Sequence, residues 1–223
     1  MSGDLLVITS CTASKLDTPE GVQHPAESLY TGQQHLRLMR GVNAYRTARQ
    51  PAGPLRFRIL SAQHGLLAPK TRIASYDHTF SGRRVAAIRR AAREKTIPSA
   101  VRDALRKPFA GGLLLLGDTY LRACDLDEDL ALGGPVLSFC SPASARRMPR
   151  IAGLRTIPLA NAEAKRFSVG LTALKGELGR RMLTRLAEDP GALPELMAPT
   201  SAVLARLYGR QAAVRGNPSR RAA

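Results

Sequence analysis

Tryptophan is missing from the chain and aromatics make up only 4% of it, so any core must be built mainly from aliphatic side chains. A hydrophobic content of 44% over 223 residues is enough for one, in a single domain of ordinary size or a domain with a helical appendage. Cysteine is scarce too. Cys11, Cys124 and Cys140 are odd in number, widely spaced and without a CxxC pair, which excludes a disulfide framework or a zinc ribbon and suits a reducing cytoplasm. No apolar run approaches the roughly 20 residues of a membrane span. The opening MSGDLLVITSC carries an acid where a signal peptide has Lys or Arg, and it reads as a first strand. Acid is the last shortage: 17 Asp plus Glu stand against 34 Lys plus Arg, for a formal net charge of +17. Heavy Ala, Arg, Gly and Leu usage accounts for part of that excess. The rest points to a polyanionic partner, nucleic acid first, because each phosphate neutralised releases counterions.

Four short apolar runs, at Leu5–Thr9, Phe57–Leu60, Leu113–Leu116 and Val136–Phe139, lack the polar alternation of a strand wet on one face. They read as strands buried on both sides, as in a parallel sheet. Helical segments lie between them. Leu38, Val42 and Tyr45 form one stripe; Val85, Ile88 and Ala92 form another, opposed by Arg83, Arg89, Arg90 and Arg93, in a basic helix expected to start at Ser81. The expected fold is therefore α/β, a short four-stranded, mainly parallel sheet between helices. After Pro158 the pattern turns helical. Phe167 to Glu188 carries Leu171, Leu174, Leu178, Met182 and Leu186 on one face, with Lys175, Arg181 and Arg185 away from it, and a further helix is expected from Ser201 to Tyr208. This divides the chain into a core at 1–160, a helical extension at 161–210 and a basic, frayed tail at 211–223.

Each expected strand runs into a short polar turn, and in an open parallel sheet such turns gather at the carboxyl edge, where ligands bind. Ser10, Cys11 and Lys15 follow the first strand, without the GxxxxGK[ST] spacing of an ATP site. Ser61, Gln63, His64 and Gly65 follow the second. His64 serves equally well as a loop support or as a cleft residue. Beyond it, Tyr76 and Asp77 set an aromatic face beside a carboxylate, the two parts needed to stack an extruded base and direct water at it. Asp118 and Tyr120 follow the third strand, and Asp118 is a second candidate acid. Ser141, Ser144, Arg146 and Arg147 follow the fourth; with Arg89, Arg93 and Lys175 they suit contacts to a phosphate backbone.

Ser10-Cys11 with Lys15, Ala26-Glu27-Ser28-Leu29-Tyr30, Leu60-Ser61-Ala62-Gln63-His64-Gly65-Leu66, Tyr76-Asp77 and Gly117-Asp118-Thr119-Tyr120 resemble a bacterial and phage family. Many of its members are known only as domains of unknown function. The group is similar to the core domain of archaeosine synthase and, more distantly, to the peroxide-stress YaaA proteins. The resemblance covers about the first two-thirds of the chain and the Ala173–Leu178 start of the late helix. It implies a fold like uracil-DNA glycosylase, with Ser141-Pro142-Ala143-Ser144 where those enzymes compress the DNA backbone. Two departures stand out: Cys140 replaces the His that leads that loop, and Ser10-Cys11-Thr12 stands where their water-activating acid would be. Asp77 or Asp118 would have to substitute.

Three functions follow in order of preference. The first is a DNA glycosylase acting on a damaged or modified base, in repair or phage defence. It would bind duplex DNA as a monomer and need no metal or cofactor. Tyr76 or Tyr30 would stack the flipped base while Asp77, helped by His64, directs water. The second is a transferase modifying a 7-deazaguanine-type base in RNA or DNA, in which Cys11 and Lys15 would matter more. The third is DNA binding without reaction.

Overall fold

The computed structural model describes residues 3–198 and 203–208. In chain order its elements are β1 (Leu5–Ser10), β2 (Gln23–Pro25), α1 (Ala26–Leu29), α2 (Gln33–Arg46), β3 (Leu55–Ser61), β4 (Gly65–Leu67), β5 (Arg72–Ala74), α3 (Val85–Glu94), α4 (Ile97–Arg106) and β6 (Gly111–Leu115). They continue as α5 (Asp118–Cys124), β7 (Val136–Cys140), α6 (Pro142–Ala145), β8 (Leu154–Pro158), α7 (Asn161–Arg166), α8 (Leu171–Glu188) and α9 (Leu193–Leu196). A last helical stretch covers 203–208. The first part of the helix expected at Ser201, and the tail at 211–223, lie outside the described residues. Among those residues no helix is long and apolar enough to cross a membrane.

The main sheet has six strands in the order β4-β3-β1-β6-β7-β8, parallel throughout except for β4. The four expected strands form its centre as β3, β1, β6 and β7, and the expectation of only four is corrected at both edges. β4 is three residues long and reverses direction straight after the Ser61 turn, too short to show a period. β8, Leu-Arg-Thr-Ile-Pro, is an edge strand with only Ile157 buried, so it lacks the continuous apolar run that marks its neighbours. β2 and β5 form a separate two-stranded antiparallel ribbon.

Strand order fixes the layers. From β1 the chain crosses to β3 on one side through α2, then returns past β1 to β6 on the other. Right-handed crossovers in opposite directions place their helices on opposite faces. α3, α4 and α5 accordingly pack together, while α2 packs along α8 and α8 reaches β6. β1 and β6 stay paired, but the connections that leave them run to opposite faces where the winding reverses, which opens a crevice at their carboxyl ends.

The α2–α8 contact is unusually close because glycine lines it. A Cβ on Gly176 would lie 2.0 Å from the Gln34 carbonyl oxygen, and one on Gly41 would lie 2.6 Å from the Arg180 Cα. Without side chains at those positions the two backbones nearly touch, and Gln34 and Lys175 are drawn toward the same end of the sheet. Glu177 locks the pair. Only 3% exposed, it receives Arg180 and Arg181 from its own helix and Arg37 from α2. Burial opposes its charge, but the hydrogen bonds from Arg180 and Arg181 win and bring its pKa down to about 2. Arg181, expected off the buried stripe, thus belongs to the helix interface. α3 begins at Val85 behind an Arg84 cap, not at Ser81, which sits in the preceding turn.

Candidate active site

Two groups of side chains stand at the carboxyl ends of the strands. The first rises over β1 and β3. Ser61, the last residue of β3, accepts the backbone N–H groups of Gln63 and His64 at 3.1 and 3.0 Å, which folds the loop back on itself. The same hydroxyl meets the Tyr76 hydroxyl at 2.7 Å, and Tyr76 in turn meets Tyr30 at 2.8 Å. Lys15 sets its ammonium 4.4 Å above the Tyr76 ring, and the His64 ring stands edge-on to it at 5.0 Å. Beside them Cys11 Sγ and the Tyr120 hydroxyl share a 2.9 Å hydrogen bond across the β1–β6 crevice. Burial pushes the Tyr30 hydroxyl up to about 12, with the nearby Cys11 adding to it, and raises Tyr76 and Tyr120 as well. These phenols stay protonated. Tyr30 is 1% exposed, so it supports the wall from behind and has no free face for a base.

The second group stands over β6 and β7. α5 starts at Asp118, and its first turn separates two functional residues. Positions two apart on a helix differ by about 200°, so Tyr120 turns toward β1 while Asp118 turns toward β7. Asp118 Oδ2 accepts the Ser141 hydroxyl at 2.6 Å, and Ser144 adds a second side-chain bond. Ser141 also caps α6 by accepting the Ser144 N–H at 3.1 Å. Burial works against the Asp118 charge, but these hydroxyls and the charge of Lys175 hold its pKa below the usual Asp value. Lys175 reaches in from α8 and donates to the Leu116 carbonyl just past the end of β6. Burial lowers its pKa, with Asp118 and Cys140 pulling the other way. Gln34 closes this side, donating to the Leu115 carbonyl at 3.0 Å and to Thr9 Oγ1 at 3.3 Å.

Two clefts meet at Asp118. One, of about 350 Å³, is lined by Gln34, Asp118, Cys140, Leu159, Leu171 and Lys175. The other, of about 320 Å³, is bordered by Arg89, Arg122 and Arg147, by Asp118, Asp125 and Ser144, and by an apolar floor that includes Leu121 and Met148. Both fall at the small end of the range for ligand sites. Among the described residues no cluster of three or more His, Cys, Asp or Glu is placed to hold a metal ion.

The structure therefore brings the expected residues together as two neighbouring sets: Ser10, Cys11, Lys15, Tyr30, Ser61, His64, Tyr76 and Tyr120 in one, and Asp118, Ser141, Ser144 and Lys175 in the other. Arg89 and Arg147 border the second set. Arg146 is exposed near them, and Arg89 and Arg93 both pair with Asp125. Asp77 is exposed, and its electrostatic neighbour is His78. Gln34 and Arg122 were not anticipated. Gln34 had a signal: it lies four residues before Leu38, a lone amide continuing the Leu38, Val42, Tyr45 stripe.

The model of a family of unknown function, DUF6884, matches residues 6–129, more than half of the chain. The chain belongs to that family. The matched span carries the whole tyrosine wall, Gln34 and Asp118, and ends before Ser141, Ser144 and Lys175. The match thus spans one side of the Asp118 site, and the β7 and α8 side of this chain lies outside it. No curated protein and no solved structure matches the chain.

Proposed function

We propose that this chain is a DNA glycosylase with a uracil-DNA glycosylase-like core, and that Asp118 is the acid at its reaction centre. The observation that carries this reading is the position of Asp118, a half-buried carboxylate with a lowered pKa, where a cleft bordered by three arginines meets one that has no arginine in its lining. A nucleotide turned out of a duplex has the same division. Its phosphates suit Arg89, Arg122 and Arg147, its base suits the cleft of Cys140, Leu159 and Leu171, and its sugar lies between them at Asp118. The free carbonyl oxygen of the Gln34 amide gives the base a hydrogen-bond acceptor.

Cleavage of an N-glycosidic bond builds positive charge on the sugar before water arrives. A carboxylate with a depressed pKa suits that step, since it stays anionic and stabilises the developing cation by charge. The base leaves with the bonding electrons, water oriented by Asp118 adds to C1′, and the proton the water loses passes through Asp118 or solvent to the departed base, leaving an abasic sugar. The water needs little help in losing its proton, because it attacks a carbon already close to a cation. Lys15 and His64 border the route of the strand beside the cleft. A damaged or bulky modified base is the expected target, because weak pairing lowers the cost of flipping. Base removal from modified DNA would serve repair or defence against phage.

The test is to incubate the protein with unmodified and base-modified phage DNA, followed by alkali. New nicks in one DNA, lost with Asp118→Asn and kept with Asp77→Asn, support the reading. Loss with Asp77→Asn alone would move the chemistry to the exposed acid. A mass change on the base with the sugar bond intact would favour base transfer instead.

A further inference from the structure

Lys175 lines the base cleft, yet hydrolysis directed by Asp118 draws only on its charge and gives its nitrogen no bond to make. It is not a surface cation. The close contact of Gly176 with Gln34 carries its stem inward, and its Nζ ends on the Leu116 carbonyl beside Asp118 and Cys140. That tether does not block reaction. A neutral amine has two N–H donors and one lone pair, so a bond to Leu116 uses one donor and leaves the pair free to attack from one of the two remaining positions.

The geometry points to a second activity, which rests on the glycosylase reading for the position of the sugar: Lys175 captures the C1′ aldehyde of the abasic deoxyribose as an imine and cuts the strand on its 3′ side. An abasic sugar interconverts between its ring and an open-chain aldehyde. The Lys175 nitrogen adds to C1′, and the carbinolamine takes one proton from solvent and loses water to give a protonated imine. The imine acidifies C2′, whose proton passes to the Asp118 carboxylate or to water. The C3′–O bond then breaks toward oxygen, and the phosphate leaves as the 5′ end of the downstream strand. Water finally hydrolyses the unsaturated imine and returns the free amine, so no redox partner is involved. Burial supports this chemistry because it lowers the pKa of Lys175 and enlarges the neutral, nucleophilic fraction near neutral pH.

The test uses the full chain and a duplex oligonucleotide with one preformed abasic site, so that it does not depend on recognition of any base. Sodium borohydride reduces an imine to a stable amine and leaves a protein–DNA adduct. The adduct is expected with the wild type, mapped to Lys175 by peptide mass, and is lost with Lys175→Gln and Lys175→Arg. Without borohydride, the wild type alone should yield the 3′-unsaturated aldehyde end. An adduct mapped to another amine, or no adduct from folded wild-type protein, overturns the proposal. Mapping on the wild type decides the matter even if the variants fold poorly. Trapping on preformed sites without base release from modified DNA would sink the glycosylase reading and leave this one standing.

Discussion

Asp118 Oδ2 accepts the Ser141 hydroxyl at 2.6 Å and so ties the end of β6 to the end of β7. The hydroxyl's single proton is committed to the carboxylate, which can only accept, while its oxygen separately accepts the Ser144 N–H. This bond, with Ser144 and Lys175, outweighs burial and lowers the Asp118 pKa. Asp118 is therefore charged at every pH above the ordinary Asp range. Base release is expected to keep a flat acid side down to about pH 5. Ser141→Ala should move the acid limb upward, because it removes a bond to the charged form. A limb near pH 6 to 7 that ignores Ser141→Ala would point to a different group.

Glu177 makes a prediction about stability. Its folded pKa of about 2 lies below the ordinary 4.5, so its contribution is complete above about 4.5 and is lost as pH falls toward 2. At neutral pH the contribution is on the order of 3 kcal/mol. Glu177→Gln should lower the melting temperature at pH 7 by roughly 5 to 10 °C, with the gap to wild type shrinking at pH 3. A gap that stays constant across that range would show that the ion pairs do not carry the effect.

Gly176 links packing to the site. An added Cβ would meet the Gln34 backbone at 2.0 Å, where no side chain can rotate away. Gly176→Ala should cost about 1–3 kcal/mol or more and reduce base release, since both Gln34 and Lys175 must shift. Gly170→Ala is the control, because nothing stands within 4 Å of its Cβ. Thermal melts and turnover on both variants test this, and equal behaviour of the two would contradict it.

Arginine contacts to phosphate should appear in the salt dependence. Arg147 makes no ion pair among the described residues, while Arg89 and Arg93 share Asp125. Arg147→Gln should weaken binding to modified and unmodified DNA alike and reduce the log–log salt slope by about 1. Arg93→Gln should change it less. Titrations at several salt concentrations give both slopes.

The sheet was legible where its strands are buried on both faces. Leu5–Thr9 and Val136–Phe139 announce themselves as unbroken apolar runs. β8 escaped because it lies at an edge, where alternation is weak and Pro158 looks like a boundary. Site residues followed a similar division. Those next to a strand end, such as Ser61, Asp118 and Ser141, could be read from position alone. Lys175 could be recognised as basic, but its inward course depends on the contact of Gly176 with Gln34, from helices far apart in sequence. Tyr30 failed as a stacking face for a reason that only packing shows: its ring is covered and its hydroxyl is taken by Tyr76.

The most direct measurement is the free base released from modified duplex DNA, quantified by mass spectrometry for the wild type and for Asp118→Asn. The account predicts free base from the wild type, matched by abasic sites together with the strand breaks that arise from them, and a loss of about 10²- to 10⁴-fold in rate with the variant. Undiminished release by a folded Asp118→Asn protein would contradict it.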